Sequence, residues 1–148
     1  RGRSRRFDRP GVGLRIVSSV ALETGLSGTV ELVVGDADTA IALGSGTVPV
    51  LATPRLIALC EEATVRCVQD HTESGSSTVG MRVQFDHLAP TAVGGTVVAE
   101  AHLEKIEGRR LTFTVSARDE RGLVAAGKVT RVLVERERFL DRCHGLAD

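Results

Sequence analysis

Apolar positions along the chain fall into one helical stretch and five strand-like runs. "SGTVELVVG" (27–35) is β-branched and bounded by glycines, which predicts a strand. "DADTAIALGSGTVPV" (36–50) holds Gly44, Gly46 and Pro49, and predicts a loop with a short strand or helical turn. The spacing then turns helical. Thr53 predicts an N-cap and Pro54 the first helical position, with the helix running to about Asp70. On a wheel of ~100° per residue, Leu56, Cys60, Ala63, Thr64 and Cys67 form one apolar stripe. Four runs follow at 77–88, 95–107, 110–120 and 123–137. Within them Val97, Ala99 and Ala101 alternate with Val98, Glu100 and His102, as one-face-buried antiparallel strands do. "EGRR" and "DERG" are polar breaks suited to hairpins. The order is strand, loop, one helix, then a four-strand meander, so the fold class is α+β. A sheet with a single helix leaves edges to protect, and self-association is expected.

Composition narrows the function. At 148 residues the chain fits one domain, and its four Phe, with no Tyr or Trp, require an aliphatic core. The formal net charge is zero, yet "RGRSRRFDR" (1–9) holds five Arg and one Asp, leaving 14 basic and 18 acidic residues in 10–148. A folded part carrying about four negative charges argues against nucleic-acid binding. The expected organisation is a basic, flexible segment over 1–24, a domain over 25–137 and a tail over 138–148. No run reaches the ~18 apolar residues of a membrane span. Cys60 and Cys67 stand ~10 Å apart along one helix, beyond disulfide reach, so a reducing, cytoplasmic setting is expected. The four histidines lack ligand spacing, and there is no phosphate loop, dinucleotide fingerprint or nucleophile elbow. No metal and no cofactor are expected.

Three polar residues stand out, each with a plain structural alternative. Glu62 falls on the solvent side of the wheel with Arg55 and Arg66. Its neighbour Glu61 falls near Val68, at the flank where the helix meets the sheet or a partner subunit. Glu61 is then either a solvated edge residue or a group held for chemistry. Thr53 serves as a cap or as a polar group at a helix N-terminus that favours negative charge. His87 closes a strand before Pro90 and is either an exposed residue or a functional one.

"GSGTVPVLATPRLIALCEEA" (44–63), "TVGMRVQFDHLAPTAVGG" (78–95) and "IEGRRLTF" (106–113) together resemble the hotdog-fold acyl-CoA thioesterases, in their fluoroacetyl-CoA thioesterase-like branch. The resemblance covers about residues 25–137. It implies a long helix wrapped by an antiparallel sheet of about five strands, a homodimer, and an acyl-CoA or acyl-carrier thioester substrate bound at the subunit interface. It also implies a catalytic set of Thr53, Glu61 and His87, with Gly80 positioning the thioester carbonyl and Arg131 beside the site. Fluoroacetyl-specific members carry phenylalanines in a lid before the catalytic threonine. "LGSGTVPVLA" (43–52) is shorter and has none, so thioester hydrolysis is implied without fluoroacetyl selectivity. The expected activity is hydrolysis of a thioester to acid and thiol. The alternative is a hotdog module that binds acyl-CoA or another hydrophobic ligand without cleaving it. A hotdog dehydratase or hydratase is the weaker third reading, since its His-containing signature is not apparent.

Overall fold

The computed structural model describes residues 21–146. The N-terminal basic run and its expected flexibility lie outside the described residues. Five strands form one antiparallel sheet: β1 (Ser27–Val33), β2 (Ser76–His87), β3 (Thr96–Glu107), β4 (Arg110–Asp119) and β5 (Gly122–Glu135). Their spatial order is β1-β3-β4-β5-β2, which puts β1 and β2 at the edges. Short helix α1 (Ala40–Leu43) follows a 3-10 turn at Asp36–Asp38, and the long helix α2 (Thr53–Val68) follows in turn. A last helix, α3 (Arg136–Cys143), falls mostly within the segment expected as a tail.

The meander has three strands, β3, β4 and β5, and not the four expected, because β2 crosses over to pair with β5 at the far edge. It follows from its turns. Glu107 pairs with Arg110 across "EGRR", and Asp119 pairs with Gly122 across "DERG". Gly108 supplies the left-handed residue of the first turn, with φ +63°. The alternation holds as read: Val97, Ala99, Ala101 and Leu103 are buried on β3, and Leu111, Phe113, Val115 and Ala117 on β4.

Helix α2 lies on this face and buries Leu56, Leu59, Cys60, Ala63, Thr64, Cys67 and Val68. Small residues let it come close. A Cβ on Gly28 would stand 2.6 Å from the Cys67 amide nitrogen and 2.7 Å from the Ala63 carbonyl oxygen. Glycine at 28 is therefore what allows the helix backbone to rest on β1. Phe113 is fully buried in a core otherwise built from aliphatic residues and cysteines. Burial pushes the Cys60 thiol up to about 12, which makes it an inert core residue rather than a nucleophile.

The segment before α2 is tied down. The Asp38 carboxylate accepts from the Gly35 N–H at 2.8 Å and from Arg55 Nε at 2.9 Å, and the Asp38 carbonyl accepts from the Ala52 N–H. This anchors the α1 region to the first turn of α2.

Candidate active site

The helix start differs from expectation at one residue. The Ala52 carbonyl accepts the first helical hydrogen bond, from the Leu56 N–H, and Ala52 is the N-cap. Thr53 lies inside the first turn, with Pro54 after it. Its hydroxyl is thereby freed from capping and turns to β2, where Oγ1 meets His87 Nδ1 at 2.7 Å. His87 ends β2, and its Nε2 is buried without a hydrogen-bond partner among the described residues. A cavity of about 310 Å3 opens against this pair, walled by Ala40, Val50, Leu88, Ala89 and Pro90 among others.

A second group forms two helical turns further along α2. Glu61 Oε2 accepts from Arg131 Nη1 at 3.2 Å. Arg131 is 7% exposed, and β5 holds it from below the helix. Its remaining donors go to β2: Nε to Thr78 Oγ1 at 2.9 Å and Nη2 to the Thr78 carbonyl at 3.0 Å. Burial lowers the Arg131 guanidinium and Glu61 opposes that shift. A guanidinium nonetheless stays charged at any physiological pH. Gly80 pairs with Arg131 across the sheet, beside a register shift before Arg82. A Cβ on Gly80 would stand 2.7 Å from Glu61 Oε2, so only glycine leaves the carboxylate where it is.

The two adjacent acids thus part company. The Glu61 side chain is 34% exposed and held by a buried arginine, whereas Glu62 makes an exposed i,i+4 pair with Arg66 at 3.4 Å. Surface pairs of that kind contribute little.

The structure brings Thr53 to His87, and Glu61 to Gly80 and Arg131. It does not bring the two groups together within one chain. Thr53 and Glu61 are eight residues apart, ~12 Å along the helix, and Gly80 and His87 are seven apart, ~23 Å along an extended strand. Thr78 was not foreseen. Its signal was present, because a residue two before Gly80 shares that residue's strand face. Among the described residues no group of three His, Cys, Asp or Glu side chains is placed to hold a metal ion. Among the described residues no helix is long and apolar enough to cross a membrane.

A long helix wrapped by a five-strand antiparallel sheet, with a carboxylate set at the seam between them, defines the hotdog class. A hot-dog-like protein from Thermanaerovibrio acidaminovorans superposes with a TM-score of 0.77 at 22% identity, covering 85% of this chain and 93% of that one, a likeness of fold alone. A thioesterase superfamily member from Thermus thermophilus gives 0.78 at 27% identity, covering 84% and 92%. A solved fluoroacetyl-CoA thioesterase gives 0.80 at 28% identity, covering 86% and 99%.

The profile of the fluoroacetyl-CoA-specific thioesterases matches residues 34–137, and the chain belongs to that family. The fluoroacetyl-CoA thioesterase of Streptantibioticus cattleyicolor is 36% identical over 90 residues, 61% of this chain and 65% of that protein. The match thus spans just under two thirds of that relative's length.

Proposed function

We propose that this protein hydrolyses an acyl-CoA thioester to free acid and thiol, working as a homodimer. The observation that carries the reading is Glu61. It alone of two neighbouring acids is held by a buried arginine, beside a glycine whose missing Cβ leaves room for the carboxylate.

The dimer assembles the two groups. Edge strand β2 presents Met81 and Val83, 48% and 38% exposed, and carries both Gly80 and His87. Antiparallel pairing of β2 with its own copy, centred near Val83 and Gln84, brings Gly80 towards the partner's His87. Each dimer then holds two sites, with Glu61, Gly80 and Arg131 from one protomer and Thr53 and His87 from the other.

In such a site the thioester carbonyl lies by Gly80 and the start of α2, where N–H groups favour the developing oxyanion. Thr53 fixes the ring of His87 through Nδ1, and the imidazole takes a proton from water or gives one to the departing thiolate. Glu61 either orients that water or attacks the carbonyl itself, giving an acyl anhydride that water then cleaves. In both routes the C–S bond breaks and the thiol leaves protonated; in the direct route the acid takes its new oxygen from water, and in the anhydride route from water or from Glu61, which water then restores to a carboxylate. Arg131 holds the Glu61 carboxylate in place through Nη1. The aliphatic walls beside Thr53 and His87 suit an acyl group without fluorine-directed contacts.

The test is thiol release from a panel of acyl-CoAs of rising chain length, with fluoroacetyl-CoA included. Turnover of at least one simple acyl-CoA, without preference for fluoroacetyl-CoA, is expected. Ligand-induced thermal stabilisation with no thiol release would instead make the protein a binding module.

A further inference from the structure

Among the described residues the buried guanidinium of Arg131 divides its donors between Glu61 and Thr78. Nη1 donates to Glu61 Oε2 at 3.2 Å, Nε to Thr78 Oγ1 at 2.9 Å and Nη2 to the Thr78 carbonyl at 3.0 Å. Thr78 therefore grips the group twice, once through its side chain and once through its main chain. Nε–H and Nη2–H together form one fork of the planar guanidinium. Two bonds along that fork fix the plane, where a single bond leaves it free to swing. With the fork taken by Thr78, Nη1 is the nitrogen turned to Glu61.

Strand β2 supplies this grip through a Thr-x-Gly spacing. Thr78 and Gly80 are two residues apart and so face the same side of the sheet. A Cβ on Gly80 would stand 2.7 Å from Glu61 Oε2 and 3.7 Å from Arg131 Nη1, so the ion pair lies over the glycine. The register shift comes only after Gly80, which leaves Thr78 and Gly80 paired with Leu133 and Arg131 on β5. A strand threonine is ordinarily favoured for its β-branched shape, which valine shares. Here the hydroxyl has a use that valine lacks. Arg131 is 7% exposed, and a buried donor without an acceptor is costly.

We propose that Thr78 is a positioning residue of the thioesterase site: its hydroxyl and carbonyl set the plane of the Arg131 guanidinium and so direct Nη1 to the Glu61 carboxylate. The proposal rests on the thioesterase reading above, in which Glu61 is the acting acid. Thr78 acts only through Arg131. Without its hydroxyl the guanidinium is left to pivot on the Nη2 bond, and the carboxylate loses its fixed aim. The step that Glu61 serves then slows, while the contacts that bind substrate are untouched.

The experiment compares Thr78→Val and Thr78→Ser with wild type on the acyl-CoA that wild type cleaves best, with a thermal melt to check each fold. Thr78→Val keeps the branched shape and removes the hydroxyl. Its kcat should fall about tenfold, the size expected for losing a hydrogen bond to a charged group, while KM stays within about twofold. Thr78→Ala, which also lacks the hydroxyl, takes its place if the valine variant does not fold. Thr78→Ser returns the hydroxyl and should bring kcat to within about threefold of wild type. In a Glu61→Gln background, Thr78→Val should cost no more than about twofold, since residues that act as a unit do not add. Full kcat in Thr78→Val, a serine variant as slow as the valine one, or an undiminished tenfold loss on top of Glu61→Gln would overturn the proposal. A wild type that cleaves no acyl-CoA sinks the thioesterase reading instead, and the grip is then judged by NMR. The Arg131 Nε–H resonance, identified by its loss in Arg131→Lys, should exchange with water at least about tenfold faster in Thr78→Val and at the wild-type rate in Thr78→Ser. Equal exchange in all three proteins contradicts the proposal, whether or not a thioester is cleaved.

Discussion

At the residue scale the decisive contrast is between Glu61 and Glu62. The helical wheel alone separated them, because a helix with a defined apolar stripe has only two flanks where an acid can meet another element. What it could not show was the partner. Arg131 lies 70 residues away in sequence, and only folding reveals that β5 delivers a buried guanidinium to that flank. Thr53 was misread as a cap for the same reason: its hydroxyl partner, His87, is 34 residues distant. A local rule wins on paper wherever a long-range contact is invisible. The close approach at Gly80 yields a prediction. Gly80→Ala should lower thiol release at least tenfold while leaving the melting temperature within a few degrees, since its Cβ displaces a half-exposed carboxylate and not the core. Unchanged turnover would mean that the placement of Glu61 is not critical.

At the element scale the strands and α2 were legible because their periods, two and 3.6, persist for many residues. The 36–50 segment was legible only as a loop with a short turn, since its few apolar residues follow neither period. Its order comes from tethers. The Asp38 carboxylate lies below its ordinary value, held there chiefly by the Gly35 N–H and then by Arg55. A depressed carboxylate contributes stability above its unfolded value, and that contribution fades as pH falls through the folded one. Asp38→Asn should therefore melt lower than wild type at neutral pH, with the gap closing below the ordinary Asp range. A gap that stays constant to pH 2 would show that the carboxylate charge does not hold this segment. Helix α3 escaped the sequence reading because "RERFLDRC" is two turns long and mostly charged, too brief for a period to emerge.

At the scale of the whole molecule, the fold reads as half of a larger object. Among the described residues strand β2 is an unpaired edge with exposed apolar residues, a feature that monomeric sheets guard against. Self-association was expected from the single-helix design, but the sequence could not say which edge would pair. Edge β2 is the one proposed to pair, because it carries both Gly80 and His87, on either side of Val83 and Gln84. Val83→Glu puts a charged side chain from each protomer into the middle of that strand pair. It should convert the proposed dimer to monomer in sedimentation velocity and abolish hydrolysis, because each protomer would then hold only half of the proposed site. A monomer that retains full turnover would refute the shared site.

The central claim is that Glu61, held by Arg131, drives thioester hydrolysis. The most direct measurement is thiol release by Glu61→Gln and Glu62→Gln beside wild type, on the acyl-CoA that wild type cleaves best. Glu61→Gln should lose about 100-fold or more in kcat, the size expected for removing an acid–base group. Glu62→Gln should stay within about twofold of wild type. Small and equal effects in the two variants would contradict the account.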